Sequence, residues 1–500
     1  MRASTILGIM VSNQTYQPKG GALMNIVTLA ERFVLGLLDI QENFTEDLRL
    51  DKLEESAVDL GNQILSDFIS LTLTEADQLI CDSGLRKRGY TIQRHDTRTL
   101  ITTTGDATFT HTLFRSRKDG TYHFLLDELM GLPDHERLSE QAEAKLLIGA
   151  ESGSYQRAAD LLQVGDQKIS KVTVMKKVHA LLEHFPEDEI PEEKRECRYL
   201  YVEADEDHIH EQGTSTGGRG FLGKLIYLYE GKEDVCSGKR QLIRPFYRGG
   251  LYQGREGNQK LWESVQNYID MCYDSDYLKQ VYISGDGANW IKAGADHVNK
   301  SVLVADRFHL MKYINRVANL AQDESAWVKG RLYKYIYQDK LLSAKRFLTK
   351  IEKIYGGEEA VEACRAYFVN NWDGIQRAFH DKKVYGCSAE GHVSHLYSDR
   401  MSSRPMGWSK AGSDAMCQLR CYTRNHGKEK IISIVRYRRQ KEMEALPATG
   451  TDGMIAPETI RKKYTKSQQE VAAYWERMQA SIGGTTAKKI LMIRQRLNDV

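Results

Sequence analysis

Long apolar runs and clustered cysteines are missing from this sequence, and each absence argues against particular classes of protein. No apolar stretch approaches the roughly 20 residues that a membrane-spanning helix needs, and residues 5–10 are too few for the core of a signal peptide. The eight cysteines form no Cys-x-x-Cys pair, which argues against a disulfide framework and against a structural zinc site. We therefore expect a cytoplasmic protein that binds no membrane.

A large excess of one charge is also missing from the chain as a whole, because its formal net charge is only +2 over 500 residues. The charge is unevenly divided, however. Residues 401–500 hold 19 Lys and Arg against 9 Asp and Glu, so the rest of the chain is net acidic. A basic segment on an acidic body favours contact with a polyanion such as nucleic acid. Its densest cluster is residues 436–439, for which an exposed helix face is an equally good interpretation.

The periodicity of the first 130 residues predicts helices followed by a small antiparallel sheet. Apolar residues at three-to-four spacing indicate helix from Met24 to about Gly84, and Met24 is a candidate start that the sequence leaves open. The predicted strands are residues 88–93, 99–104, 107–115 and 122–126. A turn of this sheet carries Arg115, Arg117 and Lys118.

Residues 154–182 predict a helix-turn-helix. Ser154 to Leu162 is predicted as one short helix, residues 164–168 form a polar turn, and Ser170 caps a second helix that runs through Val174 and Val178. The second helix of such a pair can enter a DNA major groove. An ordinary pair of packed helices is the alternative.

After an acidic, proline-marked linker at 186–197, strands and helices alternate. The order of three strands, a helix, a strand, a helix and a strand is that of the ribonuclease H-like fold, in which the first and fourth strands are neighbours. Asp205 and Asp286 end those two strands, so they would face each other and favour a bound cation such as Mg²⁺. Two alternatives stay open. One is that each Asp only caps the helix that follows it, and the other is that Asp207, on the same side of its strand, takes the place of Asp205.

Several motifs resemble those of the ISLre-type insertion-sequence transposases, whose layout is similar to that of Mutator-like transposases. They are, in chain order, YVEADEDH at 201–208, SGDGANWI at 284–291, DRFH at 306–309, CSAEGHVSH at 387–395 and RMSSRPMGW at 400–408. The resemblance runs from about Met24 into the basic C-terminal region. It implies an α/β, ribonuclease H-like catalytic core with a mixed sheet, interrupted by a helical insertion before its last acidic helix.

The resemblance also implies the chemistry. The matching positions are Asp205, Asp286 and Glu390 for an Asp-Asp-Glu triad and, as second choice, Asp207, Asp306 and His309. The triad would hold two Mg²⁺ ions, for which Mn²⁺ could substitute, and would free a 3′-OH at each transposon end for attack on target DNA. The implied partners are the terminal inverted repeats, target DNA and further copies of the chain in a synaptic complex, at the nucleoid of a bacterium.

Eight basic residues are the predicted DNA contacts. They are Arg115, Arg117, Lys118, Arg400, Arg404, Arg436, Arg438 and Arg439. Such residues neutralise phosphates and give salt-sensitive affinity that does not depend on sequence. Two other functions remain open: a ribonuclease H-like nuclease that cuts without joining, and a decayed transposase that only binds DNA.

The predicted domains follow from these boundaries. They are an N-terminal α+β region with helices and a small sheet at 24–135, a helix-turn-helix-like DNA-binding region at 136–185, the first part of the core at 198–309, the helical insertion at 310–385, the core helix with Glu390 at 386–410, and a basic helical region at 411–500.

Overall fold

A computed structural model describes residues 25–182, 184–213, 220–236, 239–404 and 406–444, together with six residues between 465 and 473. Met24 and most of residues 445–500, which belong to the predicted basic region 411–500, lie outside these residues. The described chain forms two compact units. Unit 1 contains the described residues up to Ala142, Gln163–Lys168 and the described residues from Glu442 onward, and unit 2 contains Glu143–Leu162 and Ile169–Lys441. The predicted linker at 186–197 lies inside unit 2.

Unit 1 begins with helices, as its periodicity predicts. They are α1 (Ile26–Asp47), α2 (Leu50–Asp82) and α3 (Gly84–Gly89). The side chain of Asn25 caps α1 by accepting from the backbone N–H groups of Val27 and Thr28, both at 3.0 Å. Leu29 is the residue of α1 that is fully buried.

An antiparallel sheet follows in the order β1-β2-β3. Its strands are β1 (Tyr90–Thr102), β2 (Gly105–Ser116) and β3 (Tyr122–Phe124). The two strands predicted within 88–104 are therefore one strand. The prediction of strand at Leu125 and Leu126 is wrong, because both begin α4 (Leu125–Leu129). Both side chains are buried, whereas consecutive residues of a strand point to opposite faces.

Three helices continue the chain: α5 (Glu140–Ser152), α6 (Tyr155–Asp160) and α7 (Lys171–His179). The predicted cap at Ser170 is present, and Ser154 caps α6 in the same way. Ser154 Oγ accepts from the N–H of Arg157, and Ser170 Oγ accepts from the N–H of Thr173, each at 3.1 Å. On α7, Val174 and Val178 are buried.

A five-stranded mixed sheet organises unit 2. Its strands are β4 (Tyr199–His210), β5 (Gly220–Tyr229), β8 (Phe246–Gly250), β9 (Gln280–Gly285) and β10 (Ser301–Ala305). Their order is β10-β9-β4-β5-β8. The pairs β4–β9 and β9–β10 are parallel, and β4–β5 and β5–β8 are antiparallel.

A hairpin of β6 (Gly231–Cys236) and β7 (Lys239–Ile243) interrupts this order. The sequence pattern predicts one strand from Gln241 to Tyr247. The structure instead divides that segment between β7 and β8, with Arg244 between them at a positive φ of 47°. A strand cannot continue through a residue in that left-handed region.

The two faces of β4 differ in chemistry. Leu200, Val202 and Ala204 pack into an apolar core with helix α8 (Gly254–Cys272). Residues of the other parity point to the opposite face. There Glu203 meets the hydroxyl groups of Tyr227 and Tyr229 from β5. By this alternation Glu203, Asp205 and Asp207 lie on the face of β4 away from the apolar core.

Short helices and a helical segment follow β9 and β10. Helices α9 (Asn289–Lys292) and α10 (Gly294–His297) connect these strands, and α11 (Arg307–Leu320), α12 (Ser325–Tyr337), α13 (Leu341–Tyr355) and α14 (Glu358–His380) form a second apolar core. The helical character predicted for 310–385 thus holds for most of that range.

The chain then returns to the tyrosine-lined face of the sheet. Helix α15 (Ala389–Val393) passes through a π-helical turn (Ser394–Ser398) into α16 (Asp399–Met401). Helix α17 (Lys410–His426) follows, and then α18 (Ile431–Glu444), which belongs to unit 2 as far as Lys441.

Candidate active site

Three aspartates gather at one edge of the central sheet. Glu203 and Ser284 are the last paired residues of β4 and β9, and Gly285 and Ala305 are the last paired residues of β9 and β10. Asp205 and Asp286 each lie two residues further along neighbouring parallel strands, and Asp306 follows the third. The carboxyl ends of parallel strands meet at one edge, so the order of the strands alone brings these side chains together.

Glu390 acts electrostatically on the same edge of the sheet. Burial, together with the negative charges of Asp286 and Glu390, raises the pKa of the Asp205 carboxyl to about 6. Two groups oppose this shift: the N–H of Glu206, which donates to Asp205 Oδ1 at 2.9 Å, and the positive charge of His309. The three acids of the predicted triad, although far apart in the chain, therefore interact through their charges.

Asp286 follows β9 directly and also caps a short helix. Its Oδ1 accepts from the N–H of Ala288 at 2.8 Å, so the capping interpretation describes one of its contacts. The next residue, Gly287, has a φ of +91°, and a Cβ there would lie 2.6 Å from Oδ1 of Asn371. Glycine is therefore required at 287 for two reasons, a left-handed backbone and the close approach of α14.

Asp306 and His309 form a pair beside the triad. Asp306 Oδ1 caps α11 through the N–H of Phe308 at 2.9 Å, and its Oδ2 lies 2.7 Å from His309 Nδ1. This hydrogen bond raises the pKa of His309, and the charges of Asp286 and Asp205 raise it further. These contacts therefore favour the protonated form of the His309 imidazole beside the acidic edge.

Asp207 lies further along β4 than Asp205. Its carboxylate accepts a hydrogen bond from Ser402 Oγ at 2.7 Å, which ties β4 to the segment after α16. The charges of Asp286 and Glu390 act on the carboxyl of Asp205. Asp205 therefore stays the preferred member of the predicted triad, with Asp207 as the alternative.

Glu390 occupies the first turn of α15 and is the most exposed of the three acids. Its Oε2 lies 3.4 Å from Nζ of Lys312 on α11, and about half of each side chain is accessible. Lys312 Nζ also lies 4.3 Å above the ring of Phe308. The motifs of the sequence gave no indication of Lys312, although it follows His309 by three residues on the same helix.

The three carboxylates are more widely spaced than the ligands of a single-ion site. Among the residues that the structure describes, the one group of three potential ligands whose atoms all lie within 4.8 Å is Asp77, Cys81 and His95 in unit 1. Thr112 explains that group without a metal, because its hydroxyl lies 2.5 Å from Asp77 and 2.8 Å from His95. A pair of ions roughly 3.5–4 Å apart can span a wider set of ligands.

The carboxylates of the triad suit such a pair of ions. Asp205, Asp286 and Glu390 offer only oxygen ligands, which is the donor set that Mg²⁺ prefers. Their mutual repulsion raises the pKa of Asp205, and a cation would relieve that repulsion.

Three of the eight predicted DNA contacts are corrected by the structure, because their side chains are buried. Arg400 donates to the carbonyl of Ala150 at 3.0 Å and stacks 4.7 Å over the ring of Trp408. Arg438 and Arg439 donate to the two oxygens of Glu143 at 2.7 and 2.8 Å. These arginines are not available to phosphates, and the alternative of an exposed helix face is wrong for Arg438 and Arg439 as well.

The other five predicted contacts are exposed. They are Arg115, Arg117 and Lys118 at the turn between β2 and β3, Arg404 after α16, and Arg436 on α18. The prediction that they contact DNA stays open for these residues.

Replacing Lys312 should strengthen cation binding at this site. Lys312→Gln removes a positive charge that competes for Glu390, and an exposed ion pair contributes about 0.2–1 kcal/mol. We therefore expect the affinity for Mn²⁺ to rise by up to about fivefold, measured by titration calorimetry. Lys350→Gln makes the same charge change at an exposed position of α13 and should leave the affinity unchanged. Weaker Mn²⁺ binding by Lys312→Gln would contradict this role for the ion pair.

None of the helices that the structure describes is long and apolar enough to cross a membrane. This finding agrees with the absence of long apolar runs in the sequence.

Comparison with known proteins identifies relatives over nearly the whole chain. A UPF0236 protein of Caldanaerobacter subterraneus subsp. tengcongensis is 31% identical over 450 residues, 89% of this chain and 92% of the relative, and its name joins eleven locus designations. A UPF0236 protein of Streptococcus gallolyticus, described as lying in the vanSb 3′ region, is 24% identical over 75% of this chain and 83% of the relative. The Drosophila P element transposase strand transfer complex matches with a TM-score of 0.20 and 9% identity, covering 72% of this chain and 91% of that chain. Residues 43–441 match the pattern of an uncharacterised protein family, and the chain therefore belongs to UPF0236.

Proposed function

We propose that this chain is a DNA transposase of the Asp-Asp-Glu type, which cuts transposon ends and joins them to target DNA. The observation that carries the proposal is the clustering of Asp205, Asp286 and Glu390, whose charges act on one another although 185 residues separate the first from the last. Carboxylates that repel one another are costly to hold together unless the site binds cations.

The architecture of unit 2 supports the proposal. Its strand order of β10-β9-β4-β5-β8, with β4–β5 and β5–β8 antiparallel and the other two pairs parallel, is the one expected for a ribonuclease H-like core. In such a core the first and fourth strands, here β4 and β9, are neighbours. The helices α11–α14 stand between the fifth strand and the helix that carries Glu390, as expected for a helical insertion.

The proposed reaction is in-line displacement at a phosphodiester. The oxygen of water attacks phosphorus, the bond from phosphorus to the 3′-oxygen breaks, and a free 3′-OH forms at the transposon end. That 3′-OH then attacks a phosphodiester of target DNA, whose own 3′-oxygen leaves. Two Mg²⁺ ions, when held by Asp205, Asp286 and Glu390, would activate the attacking oxygen and stabilise the leaving oxygen.

Other residues of the site would orient these groups. Asp306 holds His309 by a hydrogen bond of 2.7 Å, and the positive imidazole lies close enough to Asp205 to lower the pKa of that carboxyl. The His309 ring can therefore hold the Asp205 carboxylate in its ionised form and offer a donor to a phosphate oxygen. This assigns His309 to positioning and charge balance.

Contacts to DNA would come from exposed basic residues and from the pair of helices α6 and α7. On α7 the side chains of Lys171 and Lys176 are exposed, whereas Val174 is buried. The exposed surface of α7 thus carries basic side chains that can reach phosphates, which supports its use as a recognition helix. We propose that this helix pair is a helix-turn-helix that binds the terminal inverted repeats, with the chain acting as an oligomer on paired ends.

The name of the Caldanaerobacter relative supports a mobile element. It assigns eleven locus designations of one genome to a single protein name. Repeated insertion of one element produces many copies of its gene, whereas the gene of an ordinary cellular nuclease is not multiplied in this way.

A DNA cleavage and joining assay tests the proposal. Purified protein is incubated with a labelled duplex that carries the sequence flanking its own gene and with a supercoiled target, in Mg²⁺ or in EDTA. We expect cleavage at the element end and a joined product, both only with Mg²⁺, and neither with a duplex of shuffled sequence. Cleavage without joining would favour a nuclease, and binding without cleavage in either Mg²⁺ or Mn²⁺ would favour a decayed transposase.

A further inference from the structure

A buried carboxylate connects the two halves of the candidate site. Glu203 lies two residues before Asp205 on β4, and only 2% of its surface is exposed. Its Oε2 accepts from the backbone N–H of Ser388 at 2.5 Å and from Ser388 Oγ at 3.1 Å. Ser388 stands two residues before Glu390. One side chain therefore joins the strand that carries Asp205 to the turn that carries Glu390.

The remaining contacts of Glu203 complete the anchor. Its Oε1 accepts from the hydroxyl of Tyr229 at 2.5 Å and from Nζ of Lys232 at 3.2 Å, and Tyr227 donates to Oε2. Lys232 Nζ also donates to the carbonyl of Gly386 at 2.6 Å. The same ammonium group thus neutralises Glu203 and holds the turn at 386–388 from its other side.

We propose that Glu203 is a positioning residue of this site, which fixes Glu390 relative to Asp205 by anchoring the backbone at Gly386–Ser388. This inference rests on the proposed function for its consequence in catalysis. Its structural part is independent, because it rests on the two hydrogen bonds that Ser388, two residues before Glu390, donates to Glu203. Groups that orient metal ligands typically affect metal affinity by 10- to 100-fold.

The side chain of glutamine cannot replace this anchor. A carboxylate accepts several hydrogen bonds on two oxygens, whereas a carboxamide has one accepting oxygen and an NH₂ group that only donates. In Glu203→Gln, Ser388 N–H, Lys232 and the two tyrosine hydroxyls would compete for that one oxygen. The turn at 386–388 should therefore loosen while the volume of the side chain is conserved.

The test compares Glu203→Gln with Tyr229→Phe in the full-length protein. Tyr229→Phe removes a donor to the same carboxylate without touching the turn at 386–388, so it controls for a general loss of stability. Titration calorimetry measures Mn²⁺ affinity, and hydrogen–deuterium exchange measures protection of the peptide that covers 386–391. We expect Glu203→Gln to weaken Mn²⁺ binding by about tenfold or more and to accelerate exchange in that peptide, and Tyr229→Phe to do neither.

Wild-type Mn²⁺ affinity and exchange in Glu203→Gln would overturn the proposal, and so would an equal loss of affinity in Tyr229→Phe. If Glu203→Gln does not fold, Ser388→Ala removes one of the hydrogen bonds to Glu203 and is expected to produce a smaller change of the same kind. In DNA cleavage, a positioning role predicts a lower rate at saturating DNA with unchanged DNA affinity. If Glu203→Gln shows these changes in Mn²⁺ binding and exchange but the wild-type protein never cleaves DNA, the proposed function is refuted and the anchoring role of Glu203 still stands.

Discussion

Asp286→Asn is expected to lower the rate of DNA cleavage by about a thousandfold while DNA binding in EDTA stays at the wild-type level. Asn keeps the volume of the side chain and an oxygen that can accept from the N–H of Ala288, and Asn caps helices as well as Asp does. The substitution therefore removes the negative charge with little change in the fold. The loss of a charged ligand removes several kcal/mol of stabilisation of the developing charge, and about 4 kcal/mol corresponds to a thousandfold in rate.

The matched control is Asp296→Asn. Asp296 is an exposed residue in the first turn of α10, ten residues from Asp286, and the same change there should leave cleavage unaltered. Single-turnover cleavage and filter binding at two salt concentrations measure the two properties separately. If Asp286→Asn retained substantial Mg²⁺-dependent cleavage, the acidic edge of the sheet would not be the active site.

Asp205→Asn and Glu390→Gln should give the same pattern, although by different routes. Asp205 is half-buried among the other acids, so loss of its charge relieves repulsion and should not destabilise the fold. Glu390 is exposed, and Glu390→Gln also releases Lys312 from its ion pair. Equal loss of cleavage from a half-buried and an exposed acid would indicate a shared function.

The two aspartates of the predicted triad could be predicted from the sequence because each follows a recognisable apolar strand. Asp205 and Asp286 stand at the ends of apolar strands, and strand order then brings them together. Glu390 has no such local signal, since it is one glutamate among many, and it entered the prediction through resemblance to a transposase family. Glu203 and Lys312 could not be found in this way, because their roles depend on contacts with residues 185 and 78 positions away.

The arginines of α18 show why a charge pattern can mislead. Arg438 and Arg439 belong to the densest basic cluster of the sequence, which suggests a polyanion as partner. The buried residues of α18 are Ile431, Ile434, Val435, Arg438 and Arg439. Their spacing of three and four continues one stripe along the helix, so the arginines extend the buried face. The periodicity of the helix contained this information, and the count of charges did not.

Two predictions of strands were wrong for equally local reasons. Leu125 and Leu126 have strand-like composition, yet two consecutive buried side chains fit a helix. Arg244 interrupts a β-rich segment because its backbone lies in the left-handed region. Arginine is not a residue that indicates this conformation, so the sequence did not predict it.

Glu143→Ala is expected to cause the largest loss of stability of any single change considered for unit 2. The Glu143 side chain is fully buried and contacts three cations: Arg438 and Arg439 at 2.7 and 2.8 Å, and Lys177 at 3.3 Å. Its removal leaves positive charges in a buried position without their shared carboxylate. Breaking a buried ion pair by removing one partner typically costs about 3–5 kcal/mol.

The consequence extends beyond the loss of the pair, because Glu143 on α5 connects α18 and α7 through these contacts. Urea denaturation of Glu143→Ala should show a lower midpoint for unfolding, and Lys145→Ala, an exposed position on the same helix, should change it little. Replacing Glu143, Arg438 and Arg439 together by apolar residues of similar size should recover part of the loss, because the buried charges are removed with their partner. If Glu143→Ala unfolded at the same urea concentration as the wild type, the two arginines would have to reach solvent or another anion. Their prediction as DNA contacts would then deserve to be tested again.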